Sequence, residues 1–369
     1  MNPGFWRGRR VFVTGHTGFK GGWLVLWLSE LGADVCGYAL EPPTEPNFFA
    51  LARLAGRLYG QRMRDIRDGD ALTEAIAASA PEIVFHLAAQ PLVRDAYRAP
   101  VETYGVNVMG TVNLLEAVRH SGTVRAVVVV TSDKCYENRE WIWPYRESDP
   151  LGGHDPYASS KGCAELVTAA YRRSFLASAG VQIASARAGN VIGGGDWAAD
   201  RLVPDFLRAL DGERAVSIRS PQAIRPWQHV LEPLAGYLLL AQRLYEGRAA
   251  YAEAWNFGPQ DTDARPVSWV MDYLCARMPE ARWRYDPPQC PPDERPLDQC
   301  PPARHPHEAD VLRLDSTKAG ARLGWRRRWN LEGALDRTLE WHQAWRDGED
   351  MARFSLGQIA AYRTAGAGP

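Results

Sequence analysis

Apolar positions along this chain fall into two recurring patterns. Short unbroken runs, such as Val11-Phe-Val13, Ile83-Val-Phe85 and the four valines 127–130, have the length and β-branched content of strands buried on both faces. Between them lie longer stretches with apolar residues three and four apart, the spacing of amphipathic helices. The first half reads as strand 10–14, helix 22–31 closed by Gly32, strand 34–38, helix 47–56 and a short strand before Asp65-Ile66. Helix 70–79, strand 82–89, helix 101–120, strand 126–130, helix 155–176 and strand 181–187 follow. Strands alternating with helices at this spacing mark βαβ units and a parallel sheet.

The second half is looser. Helices are predicted over 201–210, 230–244, 267–278 and 331–345, with a strand over 254–257. The predicted fold is α/β: a Rossmann-type doubly wound parallel sheet with a smaller, partly interleaved C-terminal substrate domain. Residues 1–189 and a returning segment at about 226–258 form the dinucleotide-binding part, and 190–225 with 259–369 the substrate part. The stretch 286–302 is dense in proline, which forbids helix or central strand. It reads as a semi-rigid surface loop, with no His/Cys set beside Cys290 and Cys300 to make a metal site.

Composition narrows the class. The 369 residues are 46% hydrophobic and 24% charged, with a formal net charge of -1. That balance suits a soluble enzyme and gives neither nucleic acid nor an anionic membrane a reason to bind. The longest early apolar run, 23–31, is too short to span a bilayer, and no secretory leader is evident. Six cysteines without a CxxC pair fit a reduced, cytoplasmic chain.

Candidate chemistry gathers after the strands. Thr14-Gly-His-Thr-Gly-Phe-Lys-Gly21 follows the first strand and opens a helix, the arrangement of a dinucleotide pyrophosphate site. Its glycines admit the phosphates to backbone N–H groups, and the helix N-terminus adds partial positive charge. After the second strand, Tyr38-Ala-Leu-Glu41 carries no arginine for a 2'-phosphate, which favours NAD over NADP. The valine strand runs into Thr131, Ser132, Asp133 and Lys134, where doubly wound folds place ligands. Downstream, Tyr157 and Lys161 stand four apart on one helical face.

Those segments, together with Tyr157-Ala-Ser-Ser-Lys-Gly-Cys-Ala-Glu165 and Ile224-Arg-Pro-Trp-Gln-His-Val230, resemble the extended short-chain dehydrogenase/reductases. Within that superfamily they resemble the CDP-glucose 4,6-dehydratases. TDP- and GDP-sugar dehydratases carry an acidic residue where this chain has Lys134, and that substitution points to the cytidine branch. The Pro-rich segment departs from the family pattern. The resemblance implies NAD as cofactor, held by Gly15, Thr17, Gly18, Phe19, Lys20, Gly21, Asp65, Ile66, Leu87, Ala88, Ala89, Thr131, Tyr157 and Lys161. It implies CDP-glucose as substrate, bound by Gln90, Asn190, Arg201, Arg219, Arg225 and His307, with Glu308 bordering the pocket. Arginines suit a pyrophosphate because each binds it bidentately. No metal is expected. A homodimer or larger is expected, joined through the helices at 101–120 and 155–176.

Two proton transfers follow. Tyr157 would take the C4 hydroxyl proton during oxidation, with Ser132 orienting it. A free phenol titrates near 10; one cation at about 4 Å and an effective dielectric near 20 is worth about 4 kcal/mol, or about 3 pH units. Lys161, one helical turn away, and the positive nicotinamide ring would both favour phenolate, and one such charge suffices to bring Tyr157 near 7. The C4 ketone then acidifies C5, so Lys134 as base and Asp133 as acid would expel the C6 hydroxyl. Neighbours on an extended strand face opposite ways, so the chain must turn for both to reach one sugar. A nucleotide-sugar 4-epimerase would need only the Tyr/Lys pair, and an NAD-sensing regulator would bind NAD and change no sugar.

Overall fold

The computed structural model describes residues 2–286 and 309–365. Seven strands form one sheet in which every neighbouring pair is parallel. In chain order they are β1 (Arg10–Thr14), β2 (Asp34–Ala39), β3 (Gly60–Met63), β4 (Ile83–His86), β5 (Ala126–Val130), β6 (Gln182–Ala188) and, after three short strands, β10 (Ala254–Phe257). Their spatial order is β10-β6-β5-β4-β1-β2-β3. Strand order reverses between β1 and β4, which opens a crevice at their carboxyl ends.

Helices cover both faces. On one, α1 (Phe19–Glu30), α6 (Leu231–Tyr245) and α9 (Met351–Thr364) share a core with alternate residues of β1, β4 and β5, including Trp23, Trp27, Val128 and Trp255. On the other, α2 (Gly69–Ser79), α3 (Gly110–Arg119) and α4 (Pro156–Tyr171) enclose Phe12, Val84, Val127 and Val129. All five residues of β5 are buried, the outcome that its unbroken valine run requires.

A smaller layer sits over the strand ends. There β7 (Asn190–Ile192), β9 (Ile224–His229) and β11 (Ala264–Pro266) form one sheet, and β8 (Val216–Ile218) pairs with β12 (Trp283–Tyr285). Helices α5 (Leu202–Asp211), α7 (Val267–Arg277) and α8 (Leu331–Arg346) pack there around Phe206, Met271 and Leu335. No described helix is long and apolar enough to cross a membrane.

Two predicted helices are not uniform. The 101–120 stretch holds a π turn, Gly105–Met109, between two α segments. The 155–176 stretch closes on a second, Arg172–Leu176. A π turn inserts one residue without changing the apolar spacing much, so periodicity does not reveal it. The terminal helix α9, absent from the sequence reading, is capped by Asp350, whose carboxylate accepts from the N–H groups of Ala352 and Arg353. The Pro-rich segment from 287 onward lies outside the described residues.

Candidate active site at the carboxyl ends of the sheet

The glycine loop is built for a close ligand. Gly15 has φ +74°, and a Cβ there would lie 2.7 Å from the backbone nitrogen of Ala88. At Gly21 a Cβ would lie 2.0 Å from the Gly15 carbonyl oxygen, so only glycine lets α1 start against the turn. Gly18 caps α1 without a side-chain hydrogen bond, and no acidic residue occupies its first turn. Its open N–H groups fit a pyrophosphate. Thr14 Oγ1 accepts from the N–H groups of Leu87 and Ala88 at 3.1 and 3.2 Å and contacts His86 Nδ1 at 2.8 Å, joining two strand-end loops. Burial pushes His86 down to about 3, so it stays neutral. Thr17 Oγ1 donates to the Leu40 carbonyl.

Leu40, Glu41, Asp65 and Ile66 line the far end of the same cleft. Arg64 stands on that wall too. It was not found beside Glu41 in the sequence because it enters from the neighbouring strand, where Ala39 pairs with Met63. Asp65 is gripped by Arg67, at 2.6 Å in the shortest contact, and this hydrogen bonding lowers its carboxyl.

After β5 the chain turns as the chemistry demands. Ser132 Oγ accepts from the Lys134 N–H at 3.2 Å and caps a tight 3-10 turn, Asp133–Cys135. Asp133 and Lys134 therefore both line the cleft. Ser132 also donates to Asp133 Oδ1 at 3.0 Å, while Oδ2 is buried with no hydrogen-bond partner among the described residues. Burial raises the Asp133 carboxyl, against the opposing pull of Lys134, the Ser132 hydrogen bond, Arg225 and Lys20.

On α4, Asp155 caps the helix ahead of Pro156, and Tyr157 and Lys161 face the cleft one turn apart. The expectation of a phenol near 7 is corrected: burial raises Tyr157 to about 12, and its hydrogen bond to Ser132 only partly opposes this. Burial lowers Lys161 to about 8, with Glu165 acting to hold the charge on. Glu165 was quoted in the motif without a role. It accepts from Thr131 Oγ1 at 2.5 Å, Ser185 Oγ at 2.6 Å and Arg187 at 2.8 Å, all in the interior. From the π turn, Asn107 donates to Ser160 Oγ at 2.9 Å and to the Gln90 carbonyl at 3.1 Å, bracing the helix that carries Tyr157 and Lys161.

Lys20 does more than lend its backbone to the loop. Its side chain lines the cleft, and burial with nearby Arg201 and Lys161 lowers it to about 7. Its place in a glycine motif hid this, because the motif speaks only for the main chain.

Across the cleft, Asn190 on β7, the buried Arg225 on β9, Arg219 and Arg201 complete the wall. Arg201 pairs with Asp196 at 2.9 Å. The cleft measures about 1450 Å³, ample for a cofactor and a nucleotide sugar together. Gln90 is not on its wall. Its side chain folds back, donating to the Leu92 carbonyl at 3.0 Å and to Thr103 Oγ1 at 3.2 Å, so its assignment to substrate is withdrawn. His307 and Glu308 lie outside the described residues. No metal-binding cluster occurs among the described residues.

A family model for GDP-mannose 4,6 dehydratase matches residues 12–338. The CDP-glucose 4,6-dehydratase of Salmonella typhimurium is 53% identical over 371 aligned positions, covering 99% of each chain. A dTDP-glucose 4,6-dehydratase of Xanthomonas campestris is 25% identical, covering 95% of this chain and 98% of its own. Among solved structures, a UDP-glucose 4-epimerase of Thermotoga maritima superposes with a TM-score of 0.74 at 23% identity, covering 90% of this chain and 98% of that one. This last likeness concerns the fold. The family match runs from the first strand of the sheet into helix α8 and takes in the whole glycine loop and the clusters at 131–134 and 157–161, so the chain belongs to the GDP-mannose 4,6 dehydratase family.

Proposed function

We propose that this protein converts CDP-glucose to CDP-4-dehydro-6-deoxyglucose, using bound NAD and releasing water. The observation that carries the reading is one cleft lined by the glycine cradle, Tyr157, Lys161, Ser132, Asp133 and Lys134, in a chain 53% identical to a CDP-glucose 4,6-dehydratase over 99% of its length. Bound NAD would supply the hydride acceptor and donor that the oxidation at C4 and the reduction at C6 require. Gly15, Gly18, Phe19, Lys20 and Gly21 would hold its pyrophosphate, and Asp65, Ile66, Leu87, Ala88, Ala89 and Thr131 would flank the rest of it.

Tyr157 takes the C4 hydroxyl proton. The high value of its phenol in the free protein means that deprotonation needs further cationic help, which the positive charge of bound NAD would supply. Lys134 removes the C5 proton once C4 is a ketone. Asp133 gives a proton to the C6 oxygen, a donation favoured by the burial that raises its carboxyl. Arg219, Arg225 and Arg201 meet the substrate pyrophosphate, and Asn190 a phosphate oxygen.

On this reading, residues 1–189 with 226–258 carry NAD, and 190–225 with 259–369 carry the substrate. The pairing of β10 with β6 supports the return of the second segment. Val101, Met109, Leu166 and Phe175, exposed by 85, 52, 60 and 42%, lie on the adjoining helices and π turns at 100–119 and 156–176. They supply an apolar face for a homodimer in the cytoplasm. Light scattering at micromolar concentration should give twice the chain mass; a monomer there would rule the dimer out.

The first test is incubation of the purified protein with CDP-glucose, with and without NAD. The 4-keto product is followed by alkaline absorbance and loss of water by mass. Product from CDP-glucose but little from TDP- or UDP-glucose is expected. Isomerised sugar without water loss would replace this reading with an epimerase, and bound NAD with no changed sugar would replace it with a sensor.

A further inference from the structure

The two halves of the proposed reaction sit on different elements. Tyr157 and Lys161 stand on α4, and Asp133 and Lys134 on the short turn after β5. The helix is braced along its length: Asp155 caps its first turn, Asn107 holds Ser160, and Glu165 binds Thr131 and Ser185. A 3-10 turn of three residues has no such length to stiffen it. Its backbone is tied to the 150–152 segment, where the Cys135 carbonyl accepts from the Gly152 N–H at 2.9 Å. Beyond that, its anchorage to the interior falls to the side chain of Tyr136.

Resting on that reading of the reaction, we propose that Tyr136 is a positioning residue for the loss of water, its phenol fixing the Asp133–Lys134 turn to β6 and β10. Tyr136 is 1% exposed, and its hydroxyl is held from two sides. It accepts from Arg187 Nη1 on β6 at 2.7 Å and donates to Asn256 Oδ1 on β10 at 2.7 Å. Both partners are themselves fixed. Arg187 Nη2 donates to Glu165 at 2.8 Å, and its Nη1 reaches the Glu147 carbonyl at 3.3 Å. Asn256 Nδ2 donates to the Tyr145 and Asp315 carbonyls, each at 3.0 Å, and its N–H to Glu147 Oε1 at 2.9 Å. With both amide hydrogens committed, the carboxamide offers the phenol only its oxygen. The Tyr136 ring stacks on Tyr145, with centroids 5.0 Å apart.

One guanidinium therefore bolts the residue that follows the turn to Glu165, one helical turn beyond Lys161. The bolt serves the two halves unequally. Without the Tyr136 hydroxyl, α4 keeps its cap, the Asn107 contact and every hydrogen bond of Glu165. The turn keeps only its backbone ties. A reacting group displaced by about 1 Å can lose about 10²-fold in rate, so water loss should suffer where oxidation at C4 does not. The displaced groups are the two that must reach C5 and the C6 oxygen together.

The test is rapid acid quench of the NAD-loaded protein during turnover of CDP-glucose, with the sugar nucleotides separated by mass. CDP-4-dehydroglucose is lighter than the substrate by two hydrogens and keeps its C6 oxygen, whereas the final product has lost water. Tyr136→Phe leaves the ring on Tyr145 and removes only the hydroxyl. It should raise the ratio of undehydrated to dehydrated ketone by about tenfold or more over wild type, while ketone first appears at the wild-type rate. Asn256→Ala takes the acceptor from the other side of the same hydroxyl and should raise the ratio too. An unchanged ratio in either variant would overturn the positioning role. So would oxidation and water loss slowing in step, which is what general loosening of the fold produces. Absence of dehydrated product from wild type sinks the reaction itself, whereas wild-type product with an unmoved ratio in the variants sinks only the role of Tyr136.

Discussion

Two carboxylates flank the cleft lysines, equally deep, and their surroundings drive them in opposite directions. Glu165, beneath Lys161, is 4% exposed, and Asp133, beside Lys134, is 3% exposed. Glu165 accepts from two hydroxyls and a guanidinium, and these pull its carboxyl below the usual range despite burial. Asp133 has one hydroxyl on one oxygen and no partner on the other, and burial pushes it up. Depth alone therefore does not set the charge of a buried acid; the count of donors and the placing of cations do. The satisfied carboxylate is tied into the interior, and the unsatisfied one lines the cleft with one oxygen unpartnered among the described residues.

That contrast can be tested from both sides. Asp133→Asn cannot hand a proton to the C6 oxygen and should slow formation of the 4-keto product by about 10²–10⁴-fold; turnover within tenfold of wild type would remove Asp133 from the mechanism. Glu165→Ala strands the Arg187 guanidinium without its anion and should cost about 3–5 kcal/mol in urea unfolding.

The two amide substitutions should differ in sign. A carboxyl whose folded value is depressed adds stability at neutral pH, and that stability is lost as pH falls through the folded value. One whose folded value is raised costs stability above its unfolded value. Glu165→Gln should therefore destabilise the fold at pH 7, and Asp133→Asn should stabilise it by about 1 kcal/mol. Shifts of equal sign would break the comparison.

The smallest effect concerns pH. Lys161 at about 8 loses its charge above that value, so kcat/KM should fall on the alkaline side. Glu165→Gln removes an anion that favours the charged amine, so this limb should move to lower pH. An unmoved limb would detach Glu165 from Lys161.

The parallel sheet, the glycine loop and the Tyr157/Lys161 pair were legible because each rests on spacing within a short window. Even the need for a turn after Ser132 followed from the alternation of strand side chains, and the turn is there. Other features were hidden. The π turn carrying Asn107 leaves no mark on periodicity. Arg64 reaches the cofactor end through strand pairing rather than proximity in sequence. Gln90 sits beside a strand end, where a ligand contact is a fair expectation, yet Leu92 and Thr103 satisfy its amide locally.

By itself the sequence determined which groups this protein can bring to a sugar: a phenol, two amines, a carboxyl and a hydroxyl, each at the end of an element whose type its pattern dictates. Tertiary structure alone decided their state. Burial takes Tyr157 up to about 12 and Lys161 down to about 8. It also sets Asp133 and Glu165 apart. The physical reason is that residue identity supplies the ionisable group, whereas the free energy of its charge depends on the solvent, donors and cations around it, and those arrive from distant parts of the chain.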